Sequence, residues 1–233
     1  MKPRVIQYFL TILVAFLISA CSTSEDQQLE TRFELPEEIV EEDSVLMHCM
    51  AIQQRVIDYK KWQKGFNEHD SLRDAYGLSV LNVFRFAEDT NKIMVLLEIE
   101  DLEKAFEYAA LSEVWYGMKD LGVIGQPVVN VLNAIHIEKK QKDSHCILIQ
   151  HDVADHKKWK ERFLDYNRNN KNDNISALCL FYFNDNPQKV SVLLEVSDFE
   201  IGKQLVSSES AKKDMREMGA ITEPVLTLLT VVE

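Results

Sequence analysis

The chain has 233 residues, of which 46% are apolar and 27% charged, with 26 basic against 38 acidic side chains and a formal charge of −12. An acidic balance of that size argues against nucleic-acid partners and against docking on anionic lipid, because both require a basic face. Four cysteines with no C-x-x-C among them speak against a disulfide framework, a thioredoxin-like site or a zinc knuckle.

The first segment carries Lys2 and Arg4 and then runs almost wholly apolar from Val5 to Ala20. A charged start followed by an apolar run is the order of a secretory signal. A run of about 16 residues is also short of the ~20 that a membrane-spanning helix needs. The stretch Leu17-Ile18-Ser19-Ala20-Cys21 resembles the lipobox of bacterial lipoproteins: an aliphatic residue, two small ones, then cysteine. The resemblance implies cleavage before Cys21, diacylglycerol on its thiol and membrane attachment through acyl chains. Each buried methylene of such a chain contributes about 0.8 kcal/mol. Residues 1–20 are thus expected to be a signal peptide. Residues 21–43, polar and acidic, read as an extended tether. Ser22 is not the aspartate that holds enterobacterial lipoproteins at the inner membrane, which favours the outer membrane of a cell envelope. Loss of Lys2 and Arg4 leaves 24 basic against 38 acidic residues, a mature charge near −14.

Beyond the tether the sequence repeats itself at an offset of 97 residues. His48-Cys49 falls on His145-Cys146. Val56-x-Asp58-x-Lys60-Lys61-Trp62-x-x-x-Phe66 falls on Val153-x-Asp155-x-Lys157-Lys158-Trp159-x-x-x-Phe163. Phe84-x-Phe86 matches Phe181-x-Phe183, and Val95-Leu96-Leu97-Glu98-x-x-Asp101 matches Val192-Leu193-Leu194-Glu195-x-x-Asp198. Met118, Gly122, Ile124, Pro127 and Val128 pair with Met215, Gly219, Ile221, Pro224 and Val225. Roughly 24 of about 85 aligned positions are identical without a gap, the mark of an internal duplication. Two repeats, 44–138 and 144–233, are expected around a short polar linker.

Each repeat reads strand, helix, strand, strand, helix, strand. Val45 to Ile52 is β-compatible, and Asp58 caps a helix that sets Tyr59, Trp62 and Phe66 on one face. Gly77 ends that connection. Leu78 to Phe86 and Ile93 to Ile99 flank a turn at Glu88-Asp89-Thr90-Asn91, forming a hairpin. Asp101 and Asp198 cap the second helices, Gly122 and Gly219 close them in the left-handed region, and Pro127 and Pro224 open the last strands.

A βαββαβ order is ferredoxin-like, an α+β fold with helices on one face of the sheet. Two tandem copies can lay their bare faces together. With the D-x-x-x-W-x-x-x-F helix, the V-L-L-E-x-x-D step and the G-x-I-x-x-P approach, the region from Val45 onward resembles the dimeric α/β-barrel superfamily. That group includes antibiotic-biosynthesis-monooxygenase-like and stress-responsive barrel domains. The resemblance implies an intrachain pseudo-dimeric barrel, acting as a monomer.

Candidate chemistry is sparse. His48 and His145, each beside a cysteine on a first strand, line a common cavity for metal, haem or an anionic ligand if they face the space between the sheets; otherwise they are satisfied core histidines. Glu98 and Glu195 end the third strands on the face of Leu96 and Leu193, as a pocket base or as acceptors for backbone donors of the next helix. Trp62, Phe66 and their repeats are core. The halves differ at Arg73 and Gly77 against Asn170 and Asn174, and at His69 against Tyr166. That asymmetry favours a site in the first repeat, with Arg73 meeting an anion. No motif calls for a metal or cofactor, and no catalytic constellation is legible. The expectation is an envelope lipoprotein whose barrel binds a small apolar or anionic ligand or a partner protein. The alternatives are a cofactor-free monooxygenase-like enzyme on an aromatic or quinone substrate, and haem binding through His48 or His145.

Overall fold

The computed structural model describes residues 45–137 and 143–232; the expected signal peptide, Cys21 and the expected tether lie outside the described residues. The first repeat runs β1 (Met47–Val56), α1 (Tyr59–Glu68), α2 (Asp70–Ala75), β2 (Leu78–Phe86), β3 (Lys92–Ile99), α3 (Leu102–Ala110), α4 (Ser112–Asp120) and β4 (Val123–Ile137). The second runs β5 (His145–Asp152), α5 (His156–Asn169), β6 (Ile175–Phe183), β7 (Lys189–Val196), α6 (Phe199–Ser207), α7 (Glu209–Met218) and β8 (Val225–Val232).

The aspartates identified as caps perform that role. Asp58 accepts the backbone N–H of Lys61 at 3.1 Å, and Asp101, Asp155 and Asp198 each accept two first-turn N–H groups. Each such cap stabilises its helix by about 1 kcal/mol. Two details depart from the sequence reading. Each second helical connection is two helices, because Leu111 and Ser208 take extended backbone between them. The strand β4 starts at Val123, ahead of Pro127. Its pairing with β1 shifts between Gln53 and Arg55, so the proline, which has no N–H to donate, sits where the ladder is interrupted.

All eight strands close into one antiparallel barrel in the order β1-β3-β2-β8-β5-β7-β6-β4. The seams between repeats are β2 with β8, at Val83 to Phe86, and β4 with β6, at Leu132 to Ile137. Closure gives every strand two neighbours, although the seams pair only parts of β2, β4 and β8. Three apolar clusters follow from the alternation of side chains along the strands. One fills the barrel with residues of both repeats, among them Cys49, Phe84, Leu96, Cys146, Phe181 and Leu193. The other two lie between sheet and helices, around Trp62 in the first repeat and Trp159 in the second.

Candidate functional site

The barrel interior is not the cavity that the double fold suggested. Side chains fill it, leaving about 20 Å³ beside Gln53, Asn130, Gln150 and Ser191. That is room for one water molecule.

The His-Cys pairs resolve by strand alternation. Cys49 and Cys146 point into the barrel, so His48 and His145 point outward. His48 Nδ1 donates to Oδ1 of Asn133 at 2.7 Å, and His145 packs edge-on against the Phe199 ring at 4.5 Å. The two imidazoles therefore share no cavity and neither is placed to hold haem. Among the described residues no group of three or more His, Cys, Asp or Glu side chains could hold a metal ion. Burial, helped by the Glu98 carboxylate, pushes the Cys49 thiol up to about 12. Burial with Glu195 and Asp143 does the same to Cys146, and Cys179 is pushed up by burial with Cys49 nearby. These thiols stay protonated and are poor nucleophiles.

Glu98 stands opposite Cys49 and Ser79 in the ladder, as Glu195 stands opposite Cys146 and Ser176. Glu98 meets the neighbouring strand, and Glu195 meets both the neighbouring strand and the backbone just ahead of β5. Glu98 meets the Ser79 hydroxyl at 3.5 Å. Glu195 accepts from Ser176 at 3.3 Å and from the backbone N–H of Asp143. Neither lines a cavity large enough for a ligand.

Arg73 is buried at 2% exposure. Its guanidinium donates to the Phe66 carbonyl at 2.8 Å, pairs with Asp70 and stacks 3.8 Å from the Phe66 ring centroid. Its charge lies close enough to the Tyr108 hydroxyl to oppose part of the rise that burial gives that phenol. With Tyr108 and Leu72 it packs the first repeat's helix–sheet cleft down to about 40 Å³. Arg73 is thus committed to its own repeat, and the expectation of a first-repeat site is not where the space is.

The space lies at the equivalent position of the second repeat. A cleft of about 460 Å³ opens between the sheet and helices α5, α6 and α7. Asn169, Asn170 and Leu205 stand there at the positions of Leu72, Arg73 and Tyr108, and α5 runs on to Asn169 with no counterpart of α2. The walls are Trp159, Phe163, Met215 and Met218 with Ile149, Val192 and Leu194 as floor. Tyr166 and Asp214 both line the cleft, and burial, with the Asp214 carboxylate nearby, raises the Tyr166 phenol. On the floor stands His151, 6% exposed, its ring edge-on to Trp159 at 5.9 Å. Neither of its ring nitrogens has a hydrogen-bond partner. Burial holds this imidazole down at about 4, against a smaller opposing pull from Asp152, so it is neutral at physiological pH.

No family model matches the sequence, and no curated protein is significantly similar to it. Solved structures do match. A proposed monooxygenase from Lactobacillus acidophilus aligns with TM-score 0.54 and 14% identity over 79% of this chain and 94% of its own. An anthrone oxidase-like protein aligns with TM-score 0.57 and 12% identity over 82% and 93%. A proposed chlorite dismutase aligns with TM-score 0.52 and 10% identity over 80% and 95%. What is shared is the fold. At these identities the matches place the chain in the ferredoxin-like α/β-barrel architecture, and function has to be argued from the site.

His151 and the cleft escaped the sequence reading although the 97-residue comparison contains the signal. The bulky residues Leu72, Arg73 and Tyr108 become Asn169, Asn170 and Leu205, and Gln54 becomes His151. A copy that looks eroded is one that has lost its filling.

Proposed function

We propose that the protein binds a small, mainly apolar molecule in the second-repeat cleft, and that it does so as a lipoprotein of the cell envelope. The observation that carries the binding reading is the cleft itself. Its ~460 Å³ falls within the range of small-molecule sites, and its lining combines an aromatic and aliphatic surface with polar groups, among them His151, Asn170, Lys171 and Asp214. A packed interior does not leave such a volume without losing contact energy, whereas a ligand site requires it. Ala211 on α7 lines the cleft where the first repeat has Val114. Ala211→Phe is expected to lower the affinity for an apolar fluorescent probe such as 1-anilinonaphthalene-8-sulfonate at least tenfold while the fold is retained by circular dichroism. Unchanged affinity in that variant would remove the cleft from the reading.

A second reading, monooxygenase-like oxidation of a bound aromatic molecule, draws support from the description of two fold neighbours as monooxygenases and a third as anthrone oxidase-like. The site itself favours binding. A histidine held near 4 is a weak general base. Oxygen uptake with dihydroxyaromatic compounds, abolished in His151→Leu, would decide for the enzyme.

The anchoring proposal rests on the Leu17-to-Cys21 motif and on the acidic tether after it. Metabolic labelling with an alkynyl palmitate should mark the wild-type chain and not Cys21→Ser. Label on the variant would overturn it.

A further inference from the structure

We infer that His151 is the recognition residue of this cleft and that it selects an uncharged hydroxyl group on an otherwise apolar ligand; the inference rests on the cleft being a ligand site. A buried polar atom without a hydrogen bond costs about 1–3 kcal/mol, and native proteins rarely carry one unexplained. Here both nitrogens of one side chain are in that state, on the floor of a cleft of about 460 Å³. At the equivalent place in the first repeat Gln54, 7% exposed, leaves one such atom, its Oε1, unpartnered beneath a cleft of about 40 Å³, whereas His151 leaves two beneath an open one.

The chemistry of the ligand follows from the groups around His151. A neutral imidazole offers one donor and one acceptor, and a hydroxyl can answer either nitrogen. A carboxylate at His151 would be strongest beside an imidazolium, a state that burial on this floor opposes; Lys171 and Asp214, which also line the cleft, are of opposite sign and do not favour an anion between them. An ammonium ion at His151 would exchange water for a floor of Ile149, Val192 and Leu194 and find no carboxylate on that floor, which is costly for a charge. A hydroxyl asks for neither. The edge-on contact with Trp159 holds the ring in place, so the hydrogen bond is formed by a side chain that has little rotamer freedom left to lose.

The test compares naphthalene, 1-naphthol and 1-naphthoate by isothermal titration calorimetry at pH 7 on the wild-type protein, His151→Leu and His151→Gln. Wild type should bind 1-naphthol about three- to tenfold tighter than naphthalene, the range of one net hydrogen bond, and 1-naphthoate more weakly than either. The naphthol preference should vanish in His151→Leu and persist in His151→Gln, which keeps one donor and one acceptor. Should His151→Leu not fold, the imidazole ¹⁵N shifts of wild type decide: 1-naphthol must move those of His151 and naphthalene must not. Saturable binding of naphthalene with no preference for the hydroxyl, or a preference that survives in His151→Leu, overturns the role of His151 while leaving the cleft a binding site. Failure of both neutral probes to bind the wild-type cleft overturns both.

Discussion

The two helix–sheet clefts are built on the same floor and differ in what stands above it. In each, a tryptophan and a phenylalanine from the first helix, Trp62 with Phe66 or Trp159 with Phe163, pack against the third strand. In the first repeat Arg73, Leu72 and Tyr108 then fill the remaining space, and the cavity shrinks to about 40 Å³. In the second, asparagines and a leucine stand at those places and about 460 Å³ stays open. A duplicated fold has thereby divided its labour. One copy spends its cleft on packing; the other keeps it available. The barrel interior, shared by both copies, is packed and serves to hold them together.

The sharpest way to break this comparison is to empty the filled cleft. Arg73→Ala deletes a buried side chain and leaves the Phe66 carbonyl without its partner. Cavity formation and the lost hydrogen bond together should cost about 3–4 kcal/mol in urea unfolding. Asn170→Ala, at the equivalent place on an exposed helix end, should cost less than about 1 kcal/mol. Equal costs would mean that Arg73 does not fill the first cleft in the way described.

Next in size is the pH response of the second cleft. His151 is held at about 4 in the folded protein, below the ordinary 6.5. A depressed histidine is neutral when folded and protonated when unfolded between those values, so the unfolded state binds more protons and stability rises with pH there. As pH falls from about 6.5 to 4, wild type should lose up to about 3 kcal/mol through this group. His151→Gln, which copies Gln54 of the first repeat, should flatten that part of the stability profile. A ligand hydrogen-bonded to the neutral ring should protect against the loss. An unchanged profile in His151→Gln would show that the imidazole is already solvated in the folded state.

Much of this architecture is legible in the sequence because the repeat supplies two readings of each element. The capping aspartates, the hairpins, the helix-ending glycines and the tryptophan faces all recur at one offset, and local physics decides them. Orientation was harder. Whether His48 or Cys49 faces the barrel depends on which strand face the other repeat covers, and a dipeptide of one buried thiol and one imidazole fits either way. The asymmetric positions are legible too, but Arg73 reads as a binding residue because cations are seldom buried. Its stacking on Phe66 and its bond to the Phe66 carbonyl are tertiary facts. The cleft opposite it is made by side chains that are smaller, and missing volume leaves no motif.

The smallest effect separates the two repeats at their second helices. Gly202 on α6 lies so close to the sheet that a Cβ there would come within 2.8 Å of Val196 Cγ1 and 2.9 Å of Ile147 Cδ1. The first repeat has Ala105 at this place, fully buried, so its α3 stands far enough from the sheet to admit a methyl group. Gly202→Ala gains about 1 kcal/mol of helix propensity and loses about 1–3 kcal/mol to overlap, for a net destabilisation of about 1 kcal/mol. Ala105→Gly should also destabilise by about 1 kcal/mol, since it loses the propensity and gains nothing from a gap already wide enough. The swap is therefore costly in both directions, although each variant only imports the other repeat's residue. Thermal unfolding of the two single variants measures this. If Gly202→Ala proves stabilising, α6 can lift from the sheet at little cost. The second cleft would then be bounded by a movable wall, and its capacity for a ligand would exceed the ~460 Å³ seen here.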